Sequence, residues 1–187
     1  MILYKDKYHT ETTRLADWDY TGTGWYFVTV CTRNREESLG RIVDGELVLS
    51  RAGHIVGEEW AKTAELRLYV HMDQMIIMPN HVHGIVVIIP KNTENTTQRP
   101  VETPRRVVST MGLRPNSLGS IMGQIKSVCT KRIRSEGFAD FAWQTRFYDH
   151  IIRDQKELQH IRQYILDNPP KWEIDRNNPA NLNLWYA

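Results

Sequence analysis

Two histidines separated by one residue carry the clearest chemical signal in this sequence. His81 and His83 lie in the run MPNHVHG, directly before the apolar residues 85–89. Side chains alternate between the two faces of a β-strand, so both imidazoles point to one side and Val82 points to the other. Two imidazoles on one face can hold a single metal ion. The pattern therefore predicts a metal site on a strand.

A second group of polar residues, Tyr164 and Asn168, lies one helical turn apart far downstream. A tyrosine hydroxyl has an ordinary pKa of about 10 and is a poor nucleophile at neutral pH, so its attack on a phosphodiester needs help at the phosphate. A divalent ion held by two neutral imidazoles and an amide oxygen can polarise that phosphate. The hypothesis is a Tyr164 nucleophile beside a metal on His81, His83 and Asn168. Mg²⁺ or Mn²⁺ suits the chemistry, although paired histidines also accept zinc or nickel.

Each of these residues also has a purely structural interpretation. The histidines could be two polar positions on a half-exposed strand, Tyr164 a helix residue at the edge of the core, and Asn168 a helix cap. Tyr148, beside His150, is a rival nucleophile. The spacing alone does not exclude these alternatives.

The elements that must position these residues can be predicted from local patterns. Strands are predicted over 25–31, 69–78 and 81–89, with an Asp-Gly hairpin over 40–49 and a further extended segment over 143–153. Helices are predicted from a Ser50 cap to about Leu66, from about Leu118 to Ser135, and from an Asp154–Glu157 capping box to Asn168, where two prolines follow. The interleaved order indicates an α+β fold, a ferredoxin-like antiparallel sheet with helices packed mainly on one face.

Composition limits the classes of protein that this chain can be. Its 187 residues fit one domain, residues 1–187, with a polar leader over 1–20 and a polar surface tail over 171–187. Its two cysteines, Cys31 and Cys129, suggest neither a disulfide framework nor a cysteine zinc site. No apolar run approaches the roughly 20 residues of a membrane span, and the first residues lack a secretory core. We expect a cytoplasmic protein with no membrane partner.

Charge is unevenly distributed along the chain. Between Arg99 and Arg134 there are eight Lys and Arg and one acid, Glu102, which gives +7; the total of +2 leaves −5 for the remaining residues. Such a basic segment indicates a polyanion as partner, and the alternative is a solvated loop and helix face. Residues 91–117, rich in Pro, Thr and Asn, are expected to form a mobile insertion. The predicted contacts to nucleic acid are Arg105, Arg106, Lys126, Lys131 and Arg132.

Four segments together resemble the single-tyrosine HUH transposases, and in particular the REP-associated tyrosine transposases. They read MPNHVHGIVVI, GQIKSVCTKRI, WQTRFYDHIIRD and IRQYILDNPPKWEIDRNNP. The resemblance covers residues 25–179. It implies that His81 and His83 are the histidine pair, Tyr164 the nucleophile and Asn168 the third ligand, where insertion-sequence relatives usually have glutamine. His150 and Arg153 correspond to motif residues that could support the site or touch phosphate.

The resemblance also implies a partner and a reaction. The family recognises a DNA hairpin formed by palindromic repeats with a single-stranded flank, and its tyrosine forms a 5′-phosphotyrosine link while releasing a 3′-hydroxyl. Two other functions stay open at this point. One is a DNA-hairpin-binding protein without catalysis, and the other is a metal-dependent phosphoesterase, acting on RNA or small esters, without a covalent intermediate. The sequence also leaves open whether the protein is a monomer or a homodimer.

Overall fold

The computed structural model describes residues 18–89 and 114–184 and a short strand pair near the amino terminus. Most of the basic insertion therefore lies outside the described residues. The strands are β1 Leu3–Tyr4, β2 Tyr8–His9, β3 Gly24–Cys31, β4 Gly40–Val43, β5 Glu46–Leu49, β6 Val70–Ile77, β7 His81–Ile88 and β8 Tyr148–Ile152. The helices are α1 Arg51–Leu66, α2 Leu118–Ser135 and α3 Gln155–Leu166, followed by 3₁₀ turns at Pro169–Ile174 and Pro179–Leu184.

A four-stranded antiparallel sheet forms the centre of the fold, in the order β6, β7, β3, β8. The chain follows the sequence β3, α1, β6, β7, α2, β8, which is the split βαβ arrangement of ferredoxin-like folds. Helices α1 and α2 pack together on one face, and α3 covers part of the other. The predicted α+β class, with helices mainly on one face, is confirmed.

The helix boundaries follow from caps that the sequence specifies. Ser50 Oγ accepts from the Gly53 amide at 3.1 Å, and Ser117 Oγ accepts from the Ser120 amide at 3.2 Å. Such contacts satisfy amides that have no partner inside the helix. Both helices therefore start where the sequence places them.

The two faces of the sheet have different chemistry because of strand alternation. In β7, Val82, Val86 and Ile88 face α1 and α2, whereas Ile85 and Val87 face α3. His81 and His83 continue the α3 side toward the start of the strand, beyond the part that α3 covers with apolar side chains. The face of the sheet toward α1 and α2 thus belongs to the hydrophobic core, whereas the face toward α3 is divided between hydrophobic core and the polar site.

The carboxyl-terminal tail is more deeply packed than its composition suggests. The sequence analysis placed it on the surface, which is wrong for its buried residues Trp172, Asn177, Asn178 and Asn181. Asparagine carboxamides cap backbone carbonyls there; Asn178 Nδ2, for example, donates to the Trp172 carbonyl at 3.0 Å. Satisfied amides can be buried at little cost, so polarity did not predict exposure.

Gly84 provides a test of how α1 packs on the sheet. A Cβ added at this position of β7 would lie 2.3 Å from the ring of Trp60 in α1. We expect Gly84→Ala to reduce the free energy of unfolding by about 1–3 kcal/mol. Gly57→Ala is the matched control, since its Cβ would meet only the Ile77 side chain at 3.6 Å and should stabilise α1 by up to about 1 kcal/mol. Urea unfolding measures both, and equal effects would contradict this packing.

Candidate metal and tyrosine site

The histidine pair lies at the start of β7, where neighbouring strand β3 holds it from the side. His81 pairs in register with Cys31, and His83 with Thr29. Both imidazoles are buried, and their Nε2 atoms lie 3.0 Å apart. Behind them, His81 Nδ1 lies 2.8 Å from Asn80 Oδ1, and His83 Nδ1 lies 2.8 Å from Thr29 Oγ1. Both rings are therefore fixed through Nδ1, with Nε2 directed into the site.

The hydrogen bonds of Asn80 determine which nitrogen of His81 carries the proton. Asn80 Nδ2 donates to the carbonyl oxygens of Arg35 at 3.0 Å and Asn177 at 2.8 Å. Carbonyls only accept, so this amide orientation leaves Oδ1 facing His81 as an acceptor. The proton of neutral His81 must then be on Nδ1, and its Nε2 presents a lone pair to the site. That is the form in which an imidazole binds a metal.

Both imidazoles are kept neutral by their surroundings. Burial lowers the pKa of His83 from 6.5 to about 3, and the charge of Arg176 acts in the same direction. Burial likewise lowers the pKa of His81 well below its usual value, with contributions from His83, Arg35 and Arg176. Neutral imidazole is the ligand form, so protons do not compete for these nitrogens near neutral pH.

The donor atoms fit a small divalent cation. Two ligands at adjacent corners of an octahedron with bonds of about 2.1 Å lie about 3.0 Å apart. The Nε2 separation of 3.0 Å agrees with that arrangement. A carboxylate lies next to the pair, since ligand atoms of His81, His83 and Asp175 all lie within 4.8 Å of one another. Mg²⁺ and Mn²⁺ favour such oxygen ligands.

Tyr164 reaches this pair from α3. Its hydroxyl lies 3.4 Å from His83 Nε2, and its ring meets the His83 ring edge-on with 5.3 Å between centroids. The ring also packs edge-on against Phe27, at 6.0 Å between centroids. Tyr164 stays 42% exposed. One chain thus brings the phenol to its own histidines and leaves it open to a large substrate.

Burial raises the pKa of the Tyr164 phenol, and the negative charge of Asp175 adds to this effect. A hydrogen bond with the Asn168 side chain acts in the opposite direction, as do the charges of Arg176 and Lys171. The phenol is therefore protonated at neutral pH. Its activation as a nucleophile would need additional positive charge near the hydroxyl.

The rival tyrosine has different surroundings. Tyr148 lies on the same face of the sheet, 40% exposed, and its ring meets Phe27 edge-on at 6.4 Å. Within the described part of the chain, no hydrogen bond joins its hydroxyl to His81 or His83. Geometry therefore favours Tyr164 over Tyr148.

Asn168 lies one turn beyond Tyr164 and is buried. Its Nδ2 donates to the Tyr164 carbonyl at 2.7 Å, which caps the end of α3. This contact leaves Oδ1 as the atom that could bind a metal. The role of Asn168 as third ligand stays a prediction, and the capping contact is the alternative interpretation of the same residue.

Asp175 was missed by the sequence analysis. It belongs to the tail segment KWEIDRNNP, where several Asp and Asn residues follow two prolines. That density of turn-forming polar residues is a signal for an ordered turn. It does not indicate which carboxylate faces the histidines, because the approach depends on long-range packing.

Comparisons with known proteins identify similar sequences and a similar fold. The chain is 32% identical over 169 residues to an uncharacterized protein of Haemophilus influenzae, covering 90% of this chain and 93% of that protein. It is 24% identical over 155 residues to a putative REP-associated tyrosine transposase of the same organism, covering 82% and 74%. A solved REP-associated tyrosine transposase, bound to a REP hairpin, has a TM-score of 0.55 at 23% identity, covering 85% and 74%. The chain is similar to REP-associated tyrosine transposases in sequence and in fold. No family model matches it.

The predicted cations of α2 lie across the sheet from Tyr164. Lys126 Nζ donates to the carbonyls of Gln144 at 2.6 Å and Thr145 at 3.1 Å, so it holds the segment before β8. Burial lowers the pKa of Lys126. Lys131 is exposed and lines, with Lys126, a groove of about 640 Å³ between α2 and residues 142–145. Their contacts to nucleic acid stay predictions.

The third predicted cation of α2 is engaged within the protein. Arg132 donates to Glu58 at 2.6 Å and to Glu59 at 2.5 Å, which ties α2 to α1. Its charge is therefore largely compensated before any partner binds. Arg105 and Arg106 lie outside the described residues.

His150 lies in β8, and Arg153 lies between β8 and the Asp154 cap of α3. His150 Nε2 is 2.6 Å from Glu157 Oε1, and the Arg153 amide donates to Glu157 Oε2 at 2.8 Å. The Asp154 side chain accepts from the Glu157 amide at 2.8 Å, as the predicted cap requires. Glu157 thus reaches Arg153 rather than Asp154, so the second half of the predicted capping box is displaced by one residue. These contacts fix the start of the helix that carries Tyr164.

No helix among residues 18–89 and 114–184 is both long and apolar enough to cross a membrane.

The lowered pKa of His83 predicts how stability depends on pH. The unfolded imidazole takes up a proton below about pH 6.5, whereas the folded one does so only near pH 3, so stability is present above 6.5 and falls as pH decreases. Without metal, acidification to about pH 5 should remove about 2 kcal/mol through His83. Urea unfolding of His83→Gln should lack this contribution, and exposed His54→Gln should retain it. Equal pH dependence in the wild type and His83→Gln would contradict the assignment.

Proposed function

We propose that this protein cleaves and transfers single-stranded or hairpin DNA, with Tyr164 as the nucleophile. The single observation that carries the proposal is the 3.4 Å distance from the Tyr164 hydroxyl to His83 Nε2, next to a second Nε2 at 3.0 Å. A nucleophile and a pair of metal-ligand nitrogens then share one small volume. Similarity to a putative REP-associated tyrosine transposase supports the same reaction class.

The reaction breaks one P–O bond and forms another. The Tyr164 oxygen attacks the scissile phosphorus and loses its proton, and the 3′-oxygen leaves and gains a proton. The products are a 5′-phosphotyrosine link and a 3′-hydroxyl, so the step needs no external energy source and can be reversed on another strand. A divalent cation, Mg²⁺ or Mn²⁺ on His81, His83 and Asn168, would polarise the phosphate and stabilise the phenolate.

The residues around Tyr164 orient its hydroxyl for this attack, but they do not generate the phenolate by themselves. Phe27 and His83 fix the ring through edge-on contacts, which orients the hydroxyl toward the pair of Nε2 atoms. Because the pKa of the phenol is raised by burial, little phenolate forms until positive charge is added. Cleavage should therefore depend strictly on metal.

The proposed substrate is DNA with a palindromic hairpin and a single-stranded flank. The solved relative is described as bound to a REP hairpin, which supports this choice. The basic sequence between Arg99 and Arg134 supports a polyanionic partner. A homodimer is compatible with the proposal but is not needed, since one chain contributes both the tyrosine and the histidines.

Binding to a hairpin without cleavage is a second candidate function. It is favoured by the Asn168 side chain, whose Nδ2 caps the Tyr164 carbonyl at 2.7 Å as a structural residue would. A phosphoesterase that uses water instead of Tyr164 is a third. The three candidates differ in whether a covalent DNA adduct forms.

Replacing the proposed nucleophile distinguishes these functions. A 3′-labelled oligonucleotide with a hairpin and single-stranded flanks should become covalently attached to the wild-type protein with Mn²⁺ or Mg²⁺, and not with EDTA. Tyr164→Phe should abolish the adduct, because it removes the hydroxyl that lies 3.4 Å from His83 Nε2, and Tyr148→Phe should retain it. Denaturing gel electrophoresis measures attachment. An adduct formed by Tyr164→Phe would exclude this nucleophile, and hydrolysis without any adduct would favour the phosphoesterase.

Arg105 and Arg106 give a separate test of backbone binding. Their joint replacement by glutamine should weaken binding about equally for unrelated hairpins, because phosphate contacts carry no sequence information. The slope of log affinity against log salt should become less steep by up to about 1.4 for a single strand. Arg41→Gln, on the β4–β5 hairpin, is the control. Unchanged affinity and slope would show that these arginines do not touch DNA.

A further inference from the structure

The carboxylate of Asp175 lies where the proposed metal centre would need a charged ligand. Ligand atoms of Asp175, His81 and His83 lie within 4.8 Å of one another, and Asp175 is half-buried. We propose that Asp175 is a ligand of the same divalent cation, so that metal binding and docking of the turn at residues 175–177 are coupled. This inference rests on the proposed function for the metal, but not on the identity of the nucleophile.

Two hydrogen bonds to backbone carbonyls attach the turn to the site, and a third lies within the turn. Asn80 Nδ2 donates to the Asn177 carbonyl at 2.8 Å, and Arg35 Nη1 donates to the Arg176 carbonyl at 2.5 Å. Asp175 Oδ1 accepts from the Asn177 amide at 2.5 Å. Asp175 therefore belongs to a turn that is held by Asn80, the residue that also holds His81. Among the described residues, no hydrogen bond to Asp175 Oδ2 competes with a further partner.

Charge favours a carboxylate in this position. The guanidinium groups of Arg35 and Arg176 lie near His81 and add positive charge beside the histidines. A positive potential opposes binding of a cation by neutral imidazoles alone. The negative charge of Asp175, which acts on nearby Tyr164 as well, compensates for it. A carboxylate is also a stronger ligand for Mg²⁺ or Mn²⁺ than a neutral carboxamide.

Coupling follows from the position of the ligand in the chain. His81 and His83 belong to the central sheet, whereas Asp175 belongs to a tail that follows α3. If all three residues bind the cation, the protein binds it more tightly when the turn is docked than when the turn is undocked. By thermodynamic linkage, the bound cation must then favour docking by the same factor. Metal would then order the carboxyl-terminal segment next to the nucleophile.

Manganese binding to the full chain tests the ligand. The electron paramagnetic resonance signal of free Mn²⁺ should give an affinity at least about tenfold weaker for Asp175→Asn than for the wild type. Asp167→Asn is the matched control, because this acid lies on the same segment and pairs with exposed Lys171 at 3.0 Å. It should bind Mn²⁺ as the wild type does, and His83→Gln should lose binding.

Hydrogen exchange tests the coupling in the wild-type protein, so the result does not depend on whether a variant folds. The amides of Asp175 and Asn178, bonded to Trp172 and Asp175 at 3.1 Å each, should exchange more slowly with saturating Mn²⁺. Amides of the β4–β5 hairpin should not change.

The outcomes separate this inference from the function on which it rests. Equal Mn²⁺ affinity of the wild type and Asp175→Asn, or exchange in the turn that ignores Mn²⁺, would overturn the inference and leave the proposed function intact. Absence of Mn²⁺ binding by the wild type would overturn both. Weaker binding by Asp175→Asn with metal-dependent protection of the wild-type turn would support the coupled site.

Discussion

The hydrogen bonds of one buried carboxamide, Asn80, organise the site. This side chain sits at the turn between β6 and β7 and joins three segments that are distant in sequence: the histidine strand, the loop after β3 and the carboxyl-terminal turn. A buried amide must satisfy both its donors and its acceptor. All three segments must therefore be in place for Asn80 to form its hydrogen bonds, and these bonds place the proton of neutral His81 on Nδ1.

Backbone strain near Asn80 indicates how firmly this arrangement is held. Asn34 and Arg35 adopt positive φ values of 56° and 57°. Asparagine tolerates this left-handed conformation, whereas a residue such as arginine is disfavoured there by roughly 1–2 kcal/mol. The loop is retained because its carbonyls and amides are bonded to the β6–β7 turn; the Thr32 amide, for example, donates to the Asn80 carbonyl at 2.9 Å. The same loop conformation directs the Arg35 side chain toward the carboxyl-terminal turn. Local strain is thus offset by contacts that place charged groups beside the histidines.

Local patterns in the sequence were sufficient for most of the fold but only for part of the site. Caps such as Ser50 and the alternation around Val82 depend on neighbouring residues, so the helices, the central strands and the shared face of the histidines could be predicted. Asn80 was interpreted only as a turn residue, and Asp175 was not considered. Their partners are many residues away, and no local period specifies such contacts. The polar tail was assigned to the surface for the same reason.

The position of Tyr164 shows how a local signal can still determine a long-range contact. Helix α3 begins at the Asp154 cap, and its inward residues Leu158, Ile161 and Ile165 pack on the sheet. Tyr164 precedes Ile165, so it lies at the border of the apolar stripe, where a side chain can touch His83 and remain exposed. Each helical residue advances about 100° around the axis. A start displaced by one residue would therefore turn either the phenol away from the histidines or the apolar stripe away from the core, so the cap that begins the helix also positions the nucleophile.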